Sequence, residues 1–193
     1  MKQDQMALAT KKKLAAALKN SMQKKAFDKI TVKELLEDCD ISRPTFYYHF
    51  EDIYALMEWM FETEAVELLK KSENCLNWDD GILLLLRYIQ ENKKVCLCAY
   101  NSIGYDTLKR IFFKSVRASL LQFMNTLLEE IPAKPEHVIF IADFYTTAFA
   151  GSVLNWLQNG TEQTPEEMVT LFDITAHGSI VDALRRSASP YVN

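Results

Sequence analysis

Side chains able to meet a nucleic acid are concentrated in one short run of this sequence, where Thr45, Tyr47, Tyr48 and His49 follow closely on one another. Hydroxyls and an imidazole donate to phosphate oxygens, and aromatic rings contact thymine methyls, so the run suits a DNA surface. It does not suit catalysis. The three histidines, His49, His137 and His177, are widely separated, and no G-x-S-x-G, phosphate loop or H-E-x-x-H is present, so no nucleophile–base pair is suggested. The four cysteines, at 39, 75, 96 and 98, match neither a zinc spacing nor a dense disulfide framework. Cys96-x-Cys98 reads first as helix packing, with a redox or metal pair as the lesser alternative. No enzyme activity, cofactor or metal is expected.

The charges are placed unevenly. The 193 residues hold 22 Lys and Arg against 26 Asp and Glu, a formal charge of −4; residues 1–50 carry ten basic and six acidic side chains, a local +4, and the remainder carries −8. This division suits an N-terminal module that meets a polyanion and a larger acidic part that does not. An apolar share of 49% and a charged share of 25% argue against disorder. Five glycines and five prolines are too few for the turns of an all-β fold, so an all-α architecture of about nine helices is expected. Met1–Lys13 lacks the apolar core of a signal peptide, and the cysteine usage suits a reducing compartment, so the expected location is cytoplasmic.

The elements that must hold the polar run are well marked. Leu14, Ala17, Leu18 and Met22 recur at helical spacing, which predicts an amphipathic helix over about 5–26. Thr31 and Glu34 form a capping box for a short helix over 32–39, with Ile30 and Leu35 as a hydrophobic staple. Ser42 then caps a helix over 43–49, where Pro44 is tolerated in the first turn and Ile41 and Phe46 make a second staple. Two short, separately capped helices joined by about three residues make a helix-turn-helix. Helical period turns Phe46 and Phe50 inward, which leaves much of the Tyr-Tyr-His run outside. Further helices are predicted over about 52–71, 80–91, 93–100, 106–130, 136–158 and 165–186, with a connection at 72–78 and a loop at 101–104. The predicted domains are 1–51, the helix-turn-helix part, and 52–193, a helical body.

From Val138 to Leu157 the apolar residues point in all directions, and Asp143 is the single charge. A helix apolar all round needs cover on more than one side. Asp143, Thr146, Thr147, Ser152 and Asn155 count against a membrane span. The helix over 165–186 is similarly broad in its apolar residues, so the simplest cover for 136–158 and 165–186 is their two-fold mates in a homodimer.

These residues carry a family resemblance. The segment FDKITVKELLEDCDISRPTFYYHFEDIYAL, Phe27 to Leu56, is similar to the DNA-binding domain of TetR/AcrR-type transcriptional regulators at Phe27, Ile30, Thr31, Val32, Ile41, Ser42, Thr45, Phe46, Tyr47, His49 and Phe50. The stretch 149–172, with Gly151, Trp156, Gly160 and Pro165-Glu-Glu-Met168, resembles the DhaS-like C-terminal class of Gram-positive members. The resemblance implies a dimer whose 43–49 helices enter successive major grooves of a double-stranded operator, about 34–36 Å apart. It implies phosphate contacts from Thr31, Lys33 and Ser42, and base reading or backbone clamping by Arg43, Thr45, Tyr47, Tyr48 and His49. One position departs: where the family commonly has a basic residue after the final Phe, this sequence has Ile53, preceded by Glu51 and Asp52.

The resemblance further implies a probable repressor, with a small-molecule effector held in a cavity of the helical body. Trp59, Met60, Tyr88, Tyr100, Tyr105, Phe112, Phe144, Tyr145 and Trp156 are the candidate lining, with ordinary core packing as the alternative for each. Effector binding is expected to move the helix over 52–71 and so the two reading helices. The DhaS-like resemblance implies a second possibility, control by a protein partner in place of a directly bound ligand.

Overall fold

The computed structural model describes residues 2–72 and 78–188; Cys75 and the predicted connection lie outside them, or at their edge. The described residues form nine α-helices and no strand: α1 Lys2–Met22, α2 Val32–Cys39, α3 Arg43–His49, α4 Ile53–Ser72, α5 Trp78–Glu91, α6 Lys93–Leu128, α7 Pro135–Gln158, α8 Pro165–Phe172 and α9 Gly178–Ala188. A 3-10 turn at Phe27–Lys29 precedes α2, and a π turn at Asp173–His177 joins α8 to α9. The all-α expectation holds. Two compact units are present, one of residues 1–65 with 92–108, the other of 66–91 with 109–193.

In the first unit, Leu14, Leu18 and Met22 of α1 are buried, as are Leu35, Leu36 and Cys39 of α2, Phe46 of α3, and Leu56, Met57 and Met60 of α4. Each fully buried leucine there contributes about 1.5–3 kcal/mol. Val95, Cys96 and Ala99 near the start of α6 are buried in the same unit. Lys19 Nζ donates to both carboxylate oxygens of Glu64 at 2.9 Å, which ties α1 to α4.

The second unit packs α5 against α8, and α7 against α5 and α9. Its core includes Leu86, Ile89, Leu120, Met124, Ala142, Leu154, Leu157, Phe172 and Leu184. Arg87 donates to Glu166 from Nε at 3.1 Å and from an Nη at 2.7 Å, and the guanidinium holds that carboxyl below its ordinary value. Asn159-Gly160 ends α7 as expected: Gly160 takes φ 83°, its N–H reaches Leu157 O at 3.3 Å, and Thr161 N–H reaches Trp156 O at 2.9 Å. This is the pairing that satisfies the last carbonyls of a helix. Thr164 and Glu167 form the capping box of α8.

Several boundaries differ from those the sequence predicts. The chain does not break at 101–104; α6 runs through as one helix of 36 residues. Ser102 Oγ donates to the carbonyls of Cys98 at 2.7 Å and Ala99 at 3.0 Å, so the serine serves its own helix in place of a turn. The predicted helix over 165–186 is interrupted by the π turn, where Thr175 Oγ1 donates to Leu171 O at 2.6 Å and Ser179 Oγ to Thr175 O at 3.1 Å. α1 starts earlier and ends at Met22, beyond which Lys24 and Lys25 N–H turn back to Ser21 O.

Candidate DNA-binding surface

α2 and α3 are held by their ends. Glu34 N–H donates to Thr31 Oγ1 at 3.3 Å and Thr31 N–H to Glu34 Oε2 at 3.2 Å, both halves of the predicted box. Lys25 Nζ also donates to Glu34 Oε2 at 2.7 Å and is the main cause of the depressed carboxyl there. At the turn, Asp40 takes φ 51° as the C-cap of α2. Short polar side chains tolerate that left-handed region better than most. Ile41 N–H then reaches Leu36 O at 3.1 Å, and Thr45 N–H donates to Ser42 Oγ at 3.3 Å to start α3. Of the α3 staple, Phe46 is fully buried and Ile41 half-buried.

The outward side of α3 carries the polar run. Tyr48 is 79% exposed and Tyr47 47% exposed, the values that decide that these rings are not core. Arg43 lies 5.6 Å from the Tyr47 ring centroid, so guanidinium and phenol form one polar edge. His49 is half-buried, edge-on to Tyr48 at 5.0 Å. Partial burial holds its imidazole below the ordinary value, and the nearby charge of Lys11 adds to this. Thr31, Lys33 and Ser42 are exposed and Thr45 is half-buried, with Ser42 Oγ and Thr45 Oγ1 2.7 Å apart. Lys33 Nζ lies 3.8 Å from Glu37. An open groove of about 630 Å³ between α2 and α3 is lined by Thr31, Lys33, Glu37, Asp40, Arg43 and Tyr47 among others. The eight residues that the sequence assigns to DNA thus lie on α2, α3 and their caps. Lys11, which is not among them, places its ammonium 5.4 Å from the Phe50 ring centroid and 5.6 Å from that of Trp59.

A family profile described as bacterial regulatory proteins of the tetR family matches residues 14–60, and one described as a transcriptional regulator C-terminal region matches residues 76–178, more than half of the chain. The chain belongs to the TetR family. It is similar to a TetR-type relative from Lactococcus lactis named HTH-type dhaKLM operon transcriptional activator DhaS, 36% identical over 87 residues. That match spans 45% of this chain and 46% of the relative, so the chain matches under half of the relative's length. Among solved structures, the dihydroxyacetone kinase operon activator DhaS aligns with a TM-score of 0.73 at 21% identity, over 94% of this chain and 99% of its own. Lin0861 from Listeria innocua aligns with a TM-score of 0.56, also at 21% identity, over 88% of this chain and 90% of its own. These two likenesses bear on the fold alone. As a TetR-family protein of the DhaS-like class, the chain is a DNA-binding transcription regulator and not an enzyme.

The aromatic residues expected to line an effector cavity in this TetR-family regulator are divided between the units. Trp59, Met60 and Tyr100 belong to the first; Trp59 meets Phe50 edge to face at 5.8 Å, Met60 is buried and Tyr100 half-buried. Tyr88, Phe112, Phe144, Tyr145 and Trp156 belong to the second. Phe112 and Trp156 are buried, the latter donating from Nε1 to Gln163 O at 3.0 Å; Tyr88 and Tyr145 are half-buried and Phe144 is 60% exposed. The side chain of Tyr105 lies outside the described residues. Cys96 is buried, and burial pushes its thiol up to about 12. Cys98 is half-buried and donates to Lys25 O at 3.7 Å. On a helix two residues apart, the two side chains point about 200° apart.

Proposed function

We propose that the protein is a dimeric regulator whose two α3 helices read a near-palindromic operator through Arg43, Thr45, Tyr47, Tyr48 and His49, with Thr31, Lys33 and Ser42 on phosphates. The observation that carries the reading is the exposure of Tyr47 and Tyr48 on a helix whose register is fixed by the Ser42 cap and the buried Phe46. Homodimerisation is supported by an apolar face left open on the second unit: Ile139, Phe140 and Phe144 of α7 and Leu171 of α8 are half or more exposed in the single chain, as is Ile174 of the π turn. α7 is long and apolar enough by composition to cross a membrane, but its Val138, Ala142, Ala150, Leu154 and Leu157 side is buried in this fold. A second copy covers the remaining side. An effector acts by shifting the population of dimers whose reading helices match the operator spacing.

On the sign of regulation, the sequence favours a repressor released by a small molecule. A second reading, activation, is supported by the name of the Lactococcus lactis relative, an operon activator, and leaves room for a protein partner as the trigger. Selection of bound duplexes from a random pool at defined salt tests operator reading; the expected product is a near-palindrome with half-sites about one helical turn apart. A reporter driven from that operator, with and without the regulator, gives the sign. Enrichment of no common sequence would remove sequence-specific reading.

A further inference from the structure

The start of α4 has no cation to offer DNA. Glu51, Asp52 and Ile53 stand there, and Asp52 Oδ1 accepts from Ala55 N–H at 2.8 Å, so that carboxylate is committed to holding the helix end. Acidic side chains suit the helix dipole and repel a phosphate. A cation is nevertheless close by, delivered from a different helix. The ammonium of Lys11 is within 5.6 Å of both the Phe50 and Trp59 ring centroids, and those rings meet edge to face. Phe50 is the residue that ends α3. Lys11 therefore sits beside the C-terminal end of the reading helix, next to His49.

Its pairing sets it apart. Lys19 is paired with Glu64, Lys25 with Glu34 and Lys33 with Glu37. Lys11 is half-buried against rings, and among the described residues no carboxylate faces it. Ring faces orient an ammonium and offset part of its lost hydration, but they do not neutralise it. A cation held in one place without a counter-ion is prepared for an anion from outside the protein, and the proposed anion at this edge of α3 is a DNA phosphate.

We propose that Lys11, from α1, supplies the backbone contact that the start of α4 does not, with Phe50 and Trp59 presenting its ammonium to a phosphate beside the end of α3. The inference rests on the reading of α3 as the groove-entering helix. It adds a residue fifteen or more positions upstream of the matched motif, and it gives the contact a defined role. Because Phe50 ends α3 and also holds Lys11, the phosphate contact fixes how far the reading helix is carried into the groove, without itself carrying sequence information.

The test is a titration of the full chain against a fluorescent duplex drawn from the pool that the wild-type protein selects, repeated over a series of salt concentrations. Lys11→Gln is expected to reduce the slope of log affinity against log salt by about 0.9, one phosphate contact per protomer engaged. Lys11→Arg, which keeps the charge and the ring contact, is expected to retain the slope. Lys94→Gln, the same change of charge on an exposed lysine of α6, is expected to leave it unaltered. Helicity and thermal melting of each variant confirm the fold. An unchanged slope in Lys11→Gln, or an equal loss in Lys11→Arg, overturns the Lys11 contact. If binding is still lost in the Tyr48→Ala/His49→Ala double variant, α3 keeps its role; if that double variant binds as the wild type does, the α3 reading itself falls.

Discussion

His49 shows how much of the site is set by immediate surroundings. Its imidazole is held below the ordinary value by partial burial and by Lys11, so the unfolded chain binds the proton more readily than the folded one. Stability from this group is complete above the ordinary imidazole range and is lost as pH falls through it. His49→Gln should therefore lessen the drop in denaturation midpoint between about pH 7 and about pH 5.5; an unaltered drop would show that His49 does not contribute. Cys96 gives a second residue-level expectation. With its thiol pushed up to about 12 by burial, it should resist thiol reagents at neutral pH in the native protein, so Cys96→Ser should leave native labelling unchanged and remove one labelled group in denaturant.

At the scale of elements, helix ends do much of the positioning. Thr31 and Thr164 each complete a capping box, and replacing either by Ala should cost about 1 kcal/mol, read by urea denaturation. The two should part in DNA binding: Thr31→Ala loosens the helix next to α3, and Thr164→Ala acts in the other unit. Ile53→Lys tests the start of α4. A lysine there should steepen the salt dependence of duplex binding by about 0.9; no change would place position 53 away from the backbone. The caps and staples of α2, α3 and α8 were legible in the sequence because they are local devices, set by side chains three or four positions apart. The continuity of α6 and the π turn were not. Asn101, Ser102 and Gly104 look like loop residues, and only the helix itself reveals that Ser102 bonds back to Cys98 and Ala99. Lys11 escaped for a related reason: it stands in a run of three lysines with nothing local to single it out, and its meeting with Phe50 and Trp59 is made by the packing of α1 in the first unit.

Over the whole molecule, the opposed charges of the N-terminal residues and the rest match a division of labour, with the DNA-facing residues in the first unit and the open apolar face in the second. The apolar face of α7 bears on assembly. Phe140 is 71% exposed and Phe144 60% exposed, more than a helix in water would be expected to leave uncovered on a repeating stripe. Phe140→Asp with Phe144→Asp should turn a dimer into a monomer in sedimentation velocity and weaken operator binding by loss of the paired half-site, with the helical content retained. A double variant that sediments as the wild type would place the dimer contact elsewhere. The central claim concerns α3, and the most direct measurement is the affinity of the Tyr48→Ala/His49→Ala variant for the selected operator duplex at fixed salt. Binding at least about tenfold weaker, from the loss of contacts worth about 1–3 kcal/mol each, with an unaltered melting curve, is the predicted result. Affinity equal to wild type would contradict it.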